Sequence, residues 1–115
     1  MENYIETRPW GLFEILLEES YCKVKRITIK PGHQTSYQYH VKRNEVWTVV
    51  QGKLEITLNG KKQVGTSGFA ISIPALMKHG AKNIGNDDLV FIEVQHGDSF
   101  EEEDIIRLKD DYGRA

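Results

Sequence analysis

The sequence lacks the features that mark several large classes of protein. Its single cysteine, Cys22, excludes an internal disulfide and a cysteine-rich zinc site. No apolar run approaches the roughly 20 residues that a membrane span needs. The net charge of -2 gives no electrostatic reason to expect nucleic acid or an anionic membrane as a partner. The polar, acidic N-terminus predicts no signal peptide, so we expect a cytosolic (cytoplasmic) protein.

What remains is the composition of an ordinary globular domain. The 115 residues suit one domain, residues 1–115. A chain of this length buries roughly two-thirds of its unfolded surface, which is enough for a hydrophobic core.

Glycines and prolines divide the chain into short blocks, most of which predict β-strands. The predicted strands are residues 22–29, 45–50, 54–58, 61–64, 69–73 and 89–95. Asn59-Gly60 is typical of a type I′ hairpin turn, because both positions tolerate positive φ. Residues 45–50 and 89–95 are apolar on both faces and must be covered twice. The pattern predicts an all-β sandwich or small barrel.

The C-terminal part of the chain has a different pattern. Ser99 and Glu102 have the spacing of a capping box, and acidic residues crowd the positions that follow. We therefore expect a short helix near 100–107, followed by an irregular tail.

Four residues are spaced as ligands of one metal ion. Gln38 and His40 are two residues apart, so a strand would point both to the same face. A short polar loop, Val41 to Asn44, precedes Glu45, and His79 follows a strand that ends in proline. Two imidazoles, a carboxylate and an amide suit Zn²⁺, Mn²⁺, Fe²⁺, Co²⁺ or Ni²⁺, and open coordination positions would admit substrate. Spacing alone leaves an alternative open, in which the histidines are ordinary hydrogen-bonded residues and Glu45 is a solvated strand end.

The same residues resemble the two motifs of the cupin family. The first runs Gly32, five residues, Gln38 with His40, four residues, Glu45, six residues, Gly52. The second runs Gly68, five residues, Pro74, then His79, three residues, Asn83. Gln38 replaces the family's usual first histidine, and Leu76 replaces its usual glycine. The resemblance implies a small double-stranded β-helix, the cupin jelly-roll barrel, with the short C-terminal helix and tail appended.

Within the cupins, the chain resembles the C-terminal domain of type II phosphomannose isomerases, which are usually fused to mannose-1-phosphate guanylyltransferase. The shared segments are residues 8–11, 36–40, 43–47, 92–97, 103–107 and 110–114. The resemblance implies that Gln38, His40, Glu45 and His79 hold one divalent metal, with zinc expected first. Tyr37, Asn44 and Val46 depart from the family's usual residues beside the ligands, which bears on substrate choice. We expect no guanylyltransferase segment, because a glycine-rich nucleotide loop is missing.

The family's reaction interconverts mannose 6-phosphate and fructose 6-phosphate through an enediol. Glu93 is our first candidate for the base, since a carboxylate among apolar neighbours should have a raised pKa. The alternative is that Glu93 faces outward. Lys78, beside His79, is the second candidate for proton transfer.

A sugar phosphate also needs cations at the rim of its pocket. Arg43, Lys78, Arg107 and Arg114 are the choices, since arginine suits bidentate phosphate contacts. The family's motifs imply substrate contacts for Gln95 and Tyr112 and a catalytic position for Arg114. An ion pair with Glu103, four residues earlier on the predicted helix, is the alternative for Arg107.

Two other functions remain open: an epimerase or lyase acting on a related sugar, and a non-catalytic sugar-binding module. The doubly apolar strands also lead us to expect a homodimer.

Overall fold

The structure, a computed structural model, describes residues 4–113 and contains two antiparallel β-sheets. Numbered in chain order, the strands are β1 Tyr4–Arg8, β2 Gly11–Glu18, β3 Lys23–Ile29, β4 Tyr37–Tyr39, β5 Arg43–Gln51, β6 Leu54–Leu58, β7 Lys61–Gly65, β8 Ala70–Ile73, β9 His79–Asn83, β10 Leu89–Gly97 and β11 Ile106–Lys109. All six predicted strands are confirmed, with ends shifted by at most two residues. The described residues, 4–113, contain no helix of the length and hydropathy that a membrane crossing requires.

The two strands that are apolar on both faces, residues 45–50 and 89–95 of the prediction, lie side by side in the larger sheet. One sheet has the order β1-β2-β3-β10-β5-β8, and the other has the order β11-β4-β9-β6-β7. β10 lies between β3 and β5, so segments far apart in the chain meet at the centre of the larger sheet. The inner faces of both sheets supply one hydrophobic core, which includes Phe91 and Val49 from the first sheet and Leu54 and Ile56 from the second.

The β6–β7 hairpin shows how a local signal sets the register. Asn59 and Gly60 have φ values of 46° and 82°, as the predicted turn requires. Leu58 therefore pairs with Lys61, and the hairpin continues in register to Leu54 and Gly65.

The inward residues of β3, β10 and β5 change from apolar to polar along the strands. Three successive rows in register are Ile27, Phe91 and Val49; Lys25, Glu93 and Trp47; and Lys23, Gln95 and Glu45. All nine side chains are buried. We call the interior around the second and third rows the polar end of the barrel. Buried charges at that end require partners, because removing them from water is costly.

The predicted helix near 100–107 is wrong. Residues 100–105 form turns and irregular backbone, and β11 pairs with β4 at the edge of the smaller sheet. The acidic residues are held by distant partners instead of a helix end: Glu102 pairs with Lys23 and Lys25, and Asp104 accepts the amide hydrogens of residues 41 and 42. Arg107 lies on a strand, so the helical geometry for an ion pair with Glu103 does not exist.

Candidate metal centre

The four predicted ligands converge at the polar end. Gln38 lies on β4, and His40 follows directly after that strand. His79 begins β9 and pairs in register with Gln38. The structure starts β5 at Arg43, two residues earlier than the predicted loop allows, so Glu45 is its third residue. Strand alternation then turns Glu45 inward beside the two histidines.

The potential ligand atoms of His40, Glu45 and His79 all lie within 4.8 Å of one another. His40 Nε2 is 3.2 Å from Glu45 Oε2, and His79 Nε2 is 3.9 Å from Glu45 Oε1. The amide nitrogen of Gln38 is 3.4 Å from His40 Nε2. This spacing lets one cation contact several of these atoms at once.

Both histidines are oriented by backbone carbonyl groups. His40 Nδ1 is 2.7 Å from the carbonyl oxygen of Asp104, and His79 Nδ1 is 2.9 Å from that of Met77. A carbonyl oxygen only accepts, so each Nδ1 carries the hydrogen and each Nε2 presents its lone pair to the cluster. Metal-binding histidines are typically oriented in this way. His79 Nε2 is buried and has no hydrogen-bond partner among the described residues.

Burial keeps both imidazoles neutral. It lowers the pKa of His40 to about 4, with the positive charge of Arg43 adding to the effect. Burial also lowers the pKa of His79. Near neutral pH, therefore, His40 Nε2 is a hydrogen-bond acceptor and needs a donor or a cation beside it.

Two side chains fix the Glu45 carboxylate. Trp47 Nε1 donates to Glu45 Oε1 at 2.9 Å, and Arg43 Nε donates to Glu45 Oε2 at 2.8 Å. Arg43 Nη2 also lies 3.3 Å from His40 Nε2. The guanidinium group of Arg43 thus borders the same lone pairs that a metal ion would use.

The donor set fits a divalent metal of the zinc, manganese, iron, cobalt or nickel type. Gln38 would contribute its amide oxygen, which in the structure accepts a hydrogen bond from the Ser36 hydroxyl. Ligation by Gln38 requires the opposite amide orientation. The Ser36 hydroxyl is compatible with both orientations, because it can donate or accept.

Glu93 faces inward and is buried in the row next to Glu45. Gln95 Nε2 donates to Glu93 Oε2 at 2.7 Å. Burial first, and the nearby charge of Glu45 second, raise the pKa of Glu93 to about 7. The structure therefore places a carboxyl group that can exchange a proton near neutral pH beside the cluster.

A cavity of about 80 Å³ opens onto this region. Its charged lining residues are Arg8, Lys25, Arg43, Glu93, Glu102 and Arg107, and Gln38 and Trp10 also line it. Two of the predicted rim cations, Arg43 and Arg107, are therefore at the cavity.

Other predicted site residues lie elsewhere. Lys78 is exposed just before β9 and does not line the cavity. Tyr112 stacks on His33, and its hydroxyl lies 2.7 Å from His33 Nδ1, so it fastens the tail to the loop after β3. Arg114 lies outside the described residues, 4–113.

Sequence reasoning missed three residues of the polar end: Lys23, Lys25 and Glu102. Lys23 and Lys25 alternate with outward residues of β3 and share the face of Ile27, which was the signal that could have found them. The capping pattern assigned Glu102 to a helix end, whereas the two lysines that it contacts lie 77 and 79 residues earlier in the sequence.

The three departures beside the ligands do not line the cavity. Tyr37 accepts a hydrogen bond from the amide of Gly60, Asn44 bonds backbone groups of Ala75 and His96, and Val46 is on the outer face of β5. Alternation along each strand turns these neighbours away from the ligands.

The fold and the buried cluster define a double-stranded β-helix of the cupin class. An uncharacterised conserved protein with a double-stranded β-helix domain from Klebsiella pneumoniae superposes with a TM-score of 0.73 at 22% identity, over 82% of this chain and 80% of that one. The capsular polysaccharide assembling protein CapF from Staphylococcus aureus superposes with a TM-score of 0.83 at 21% identity, over 94% of this chain and 34% of that one. At these identities, both comparisons establish the fold.

Residues 2–110 match the family described as "Mannose-6-phosphate isomerase C-terminal", and the chain belongs to this family. It is 39% identical over 108 residues to a mannose-1-phosphate guanylyltransferase of Klebsiella pneumoniae. That match covers 94% of this chain and 23% of the relative, so the chain spans about a quarter of the relative's length.

Proposed function

We propose that the chain is a metal-dependent aldose–ketose isomerase that interconverts mannose 6-phosphate and fructose 6-phosphate. The observation that carries this proposal is the buried His40–Glu45–His79 cluster with the buried carboxyl group of Glu93 beside it. Membership of the mannose-6-phosphate isomerase C-terminal family supports the choice of reaction.

The proposed chemistry needs one proton to move between adjacent carbon atoms. A divalent metal held by Gln38, His40, Glu45 and His79, with zinc expected first, would polarise the substrate oxygens and stabilise negative charge on them. Glu93 removes the proton beside the carbonyl group while the carbonyl oxygen gains a proton, which gives an enediol. Glu93 then returns its proton to the neighbouring carbon as the other hydroxyl group of the enediol loses its proton to become the new carbonyl.

The other residues of the polar end position these groups. Gln95 holds one oxygen of Glu93 through its amide nitrogen. Arg43 and Trp47 fix the Glu45 carboxylate, while Arg43 and Arg107 supply positive charge at the cavity wall. Tyr112 stays assigned to substrate contact, and Arg114 to a catalytic position, only by the family motif.

The test combines elemental analysis with an isomerase assay on mannose 6-phosphate. Wild type is expected to contain about one metal ion per chain and to turn the substrate over. Glu93→Gln should keep the metal and lose roughly 10²–10⁴-fold in turnover, the range typical of a lost acid–base group. The matched control is Glu55→Gln on β6, whose side chain lies away from this cavity.

The assay also separates the alternatives. Metal-containing protein that converts an unphosphorylated or acidic sugar, and not mannose 6-phosphate, would indicate the epimerase or lyase. Sugar binding without turnover in wild type would indicate the non-catalytic module. Equal turnover of Glu93→Gln and wild type would remove Glu93 from the reaction.

The expected homodimer has a candidate surface on the outer face of the larger sheet. Val24, Val94 and Val46 form one row there, and each is only partly buried in the single chain. We propose that a second copy covers this row, because it is apolar and crosses three neighbouring strands. Light scattering after size exclusion tests this: wild type is expected to be a dimer and Val94→Lys a monomer, and a monomeric wild type would contradict it.

A further inference from the structure

Two lysine side chains point into the barrel at its polar end. Lys23 and Lys25 are inward residues of β3, and each is only 4% exposed. Lys25 Nζ also lies 4.0 Å from the centre of the Phe13 ring, where an ammonium group is attracted to the aromatic face. Lysine is rarely buried without a partner, so the position of these two charges requires an explanation.

Their shared partner is the carboxylate of Glu102. Its Oε2 atom is 2.8 Å from Lys23 Nζ, and its Oε1 atom is 2.7 Å from Lys25 Nζ. Lys23 also donates to the carbonyl oxygen of Phe100 at 3.0 Å and lies 3.5 Å from the exposed Glu18. One anion thus receives an ammonium group on each oxygen, an arrangement that would equally hold two oxygens of a phosphate group.

Glu102 is not part of the barrel wall. It lies in the irregular segment between β10 and β11, whereas both lysines lie on a central strand. Asp104, two residues later, is held by the amides of Val41 and Lys42 and orients His40 through its own carbonyl group. The backbone of residues 99–103 is itself tied by hydrogen bonds to Lys42, Arg43 and Asp104, so the shift that displaces Glu102 is a rotation of its side chain away from the lysines.

The size of the cavity requires such a shift. Its volume of about 80 Å³ is far below the ~300 Å³ at the lower end of small-molecule sites. Glu102 is one of its lining residues, and so is Lys25. Moving Glu102 outward would enlarge the cavity and expose the lysine pair to whatever enters.

We propose that Lys23 and Lys25 form the phosphate subsite of the ligand cavity, and that Glu102 occupies this subsite until a phosphate monoester displaces it. This inference rests on the proposed function, because it names the groups that recognise the phosphate of the sugar. The exchange replaces one anion by another, so the two ammonium groups are never left unpaired. A neutral sugar supplies no anion and does not displace Glu102, so the lysine pair adds nothing to the binding of an unphosphorylated sugar.

The test compares phosphate binding by Glu102→Gln and Glu103→Gln in the metal-loaded full chain, with inorganic phosphate titrated calorimetrically. Both variants remove one negative charge, but Glu103 is exposed and has no contact with the lysines. Glu102→Gln should bind phosphate about tenfold more tightly than wild type, because two charge-assisted hydrogen bonds no longer compete. Equal affinity of the two variants would overturn the inference and leave Glu102 as a structural tie.

Two further arms identify the groups and the ligand. Lys25→Met should weaken phosphate binding about tenfold relative to Arg26→Met, which removes an outward-facing charge from the same strand. Equal phosphate affinity in these two variants would count against the lysine pair. If Lys25→Met does not fold, the Glu102 and Glu103 pair of variants decides alone. Glu102→Gln should also tighten mannose 6-phosphate and leave mannose unchanged, because mannose carries no anion to exchange with Glu102; equal tightening of mannose would overturn the exchange.

The outcome is separable from that of the proposed function. Tighter phosphate binding by Glu102→Gln without any isomerase turnover in wild type would reject the isomerase and keep the subsite. Isomerase turnover with unchanged phosphate affinity in Glu102→Gln would reject the subsite and keep the isomerase.

Discussion

Glu102→Gln should lower the free energy of unfolding near neutral pH and have less effect in acid. Burial alone would raise the pKa of Glu102, but its contacts with Lys25 and Lys23 lower the pKa from its ordinary 4.5 to about 2. At about 1.36 kcal/mol per pKa unit, this sets an upper limit of roughly 3 kcal/mol. Because 33% of the side chain is exposed, solvent screening reduces the expected loss to about 2 kcal/mol.

The sign of the pH dependence follows from the lowered pKa. The folded state keeps the carboxylate ionised, so its stabilisation is fully present above the ordinary pKa of 4.5 and is lost as pH falls through about 2. The difference between wild type and Glu102→Gln should therefore fall to less than half of its neutral value by ~pH 3. Urea unfolding in phosphate-free buffer, followed by tryptophan fluorescence, measures it. Equal unfolding free energies for Glu102→Gln and Glu103→Gln near neutral pH would refute the reasoning.

Three other changes test separate parts of the fold. Asn83→Ala removes two hydrogen bonds of 2.8 Å that a buried amide donates to backbone carbonyl groups. It should lower the free energy of unfolding in urea by about 2–3 kcal/mol, whereas the control Asn86→Ala, at an exposed position, should lower it by less than ~0.5 kcal/mol. Leu76 has a φ of 72°, which strains any residue but glycine, and its side chain is 62% exposed. Leu76→Gly should therefore raise the free energy of unfolding by about 0.5–1 kcal/mol, and Leu76→Ala should not raise it. A lower free energy of unfolding in the glycine variant would contradict the idea that the backbone is strained at this position. Deleting residues 112–115 should lower turnover of phosphosugars. The loss, expressed as an activation free energy, should exceed the loss in the free energy of unfolding. Unchanged turnover would remove the tail from the active site.

Local signals predicted most of the strands. Alternation and turn residues bounded β6 and β7, because the Asn59-Gly60 turn and its flanking strands depend on neighbours in sequence. The apolar character of β5 and β10 on both faces predicted that each is covered twice. The structure places the two strands side by side with their inner faces in the core. The spacing of His40, Glu45 and His79 was also informative, since strand geometry alone decides which residues share a face.

The failures depend on contacts between distant residues. The capping pattern near Ser99 is a true local preference, but the pairing of Glu102 with two lysines of β3 overrides it. Lys25 follows the alternation of its strand, which places it inside the barrel. Lysine is seldom buried, so its residue type argued against that position. Lys78 shows the opposite error, because it is next to His79 in sequence but lies exposed just before β9, whereas His79 is buried.

The most direct test of the metal centre is the metal content of single histidine variants after dialysis. His40 and His79 present Nε2 to Glu45 from inside the barrel, whereas His96 is exposed at the end of β10. Elemental analysis should find about one divalent ion per chain in wild type and in His96→Ala, and essentially none in His40→Ala or His79→Ala. Stoichiometric metal retained in both of the latter variants would contradict the assignment.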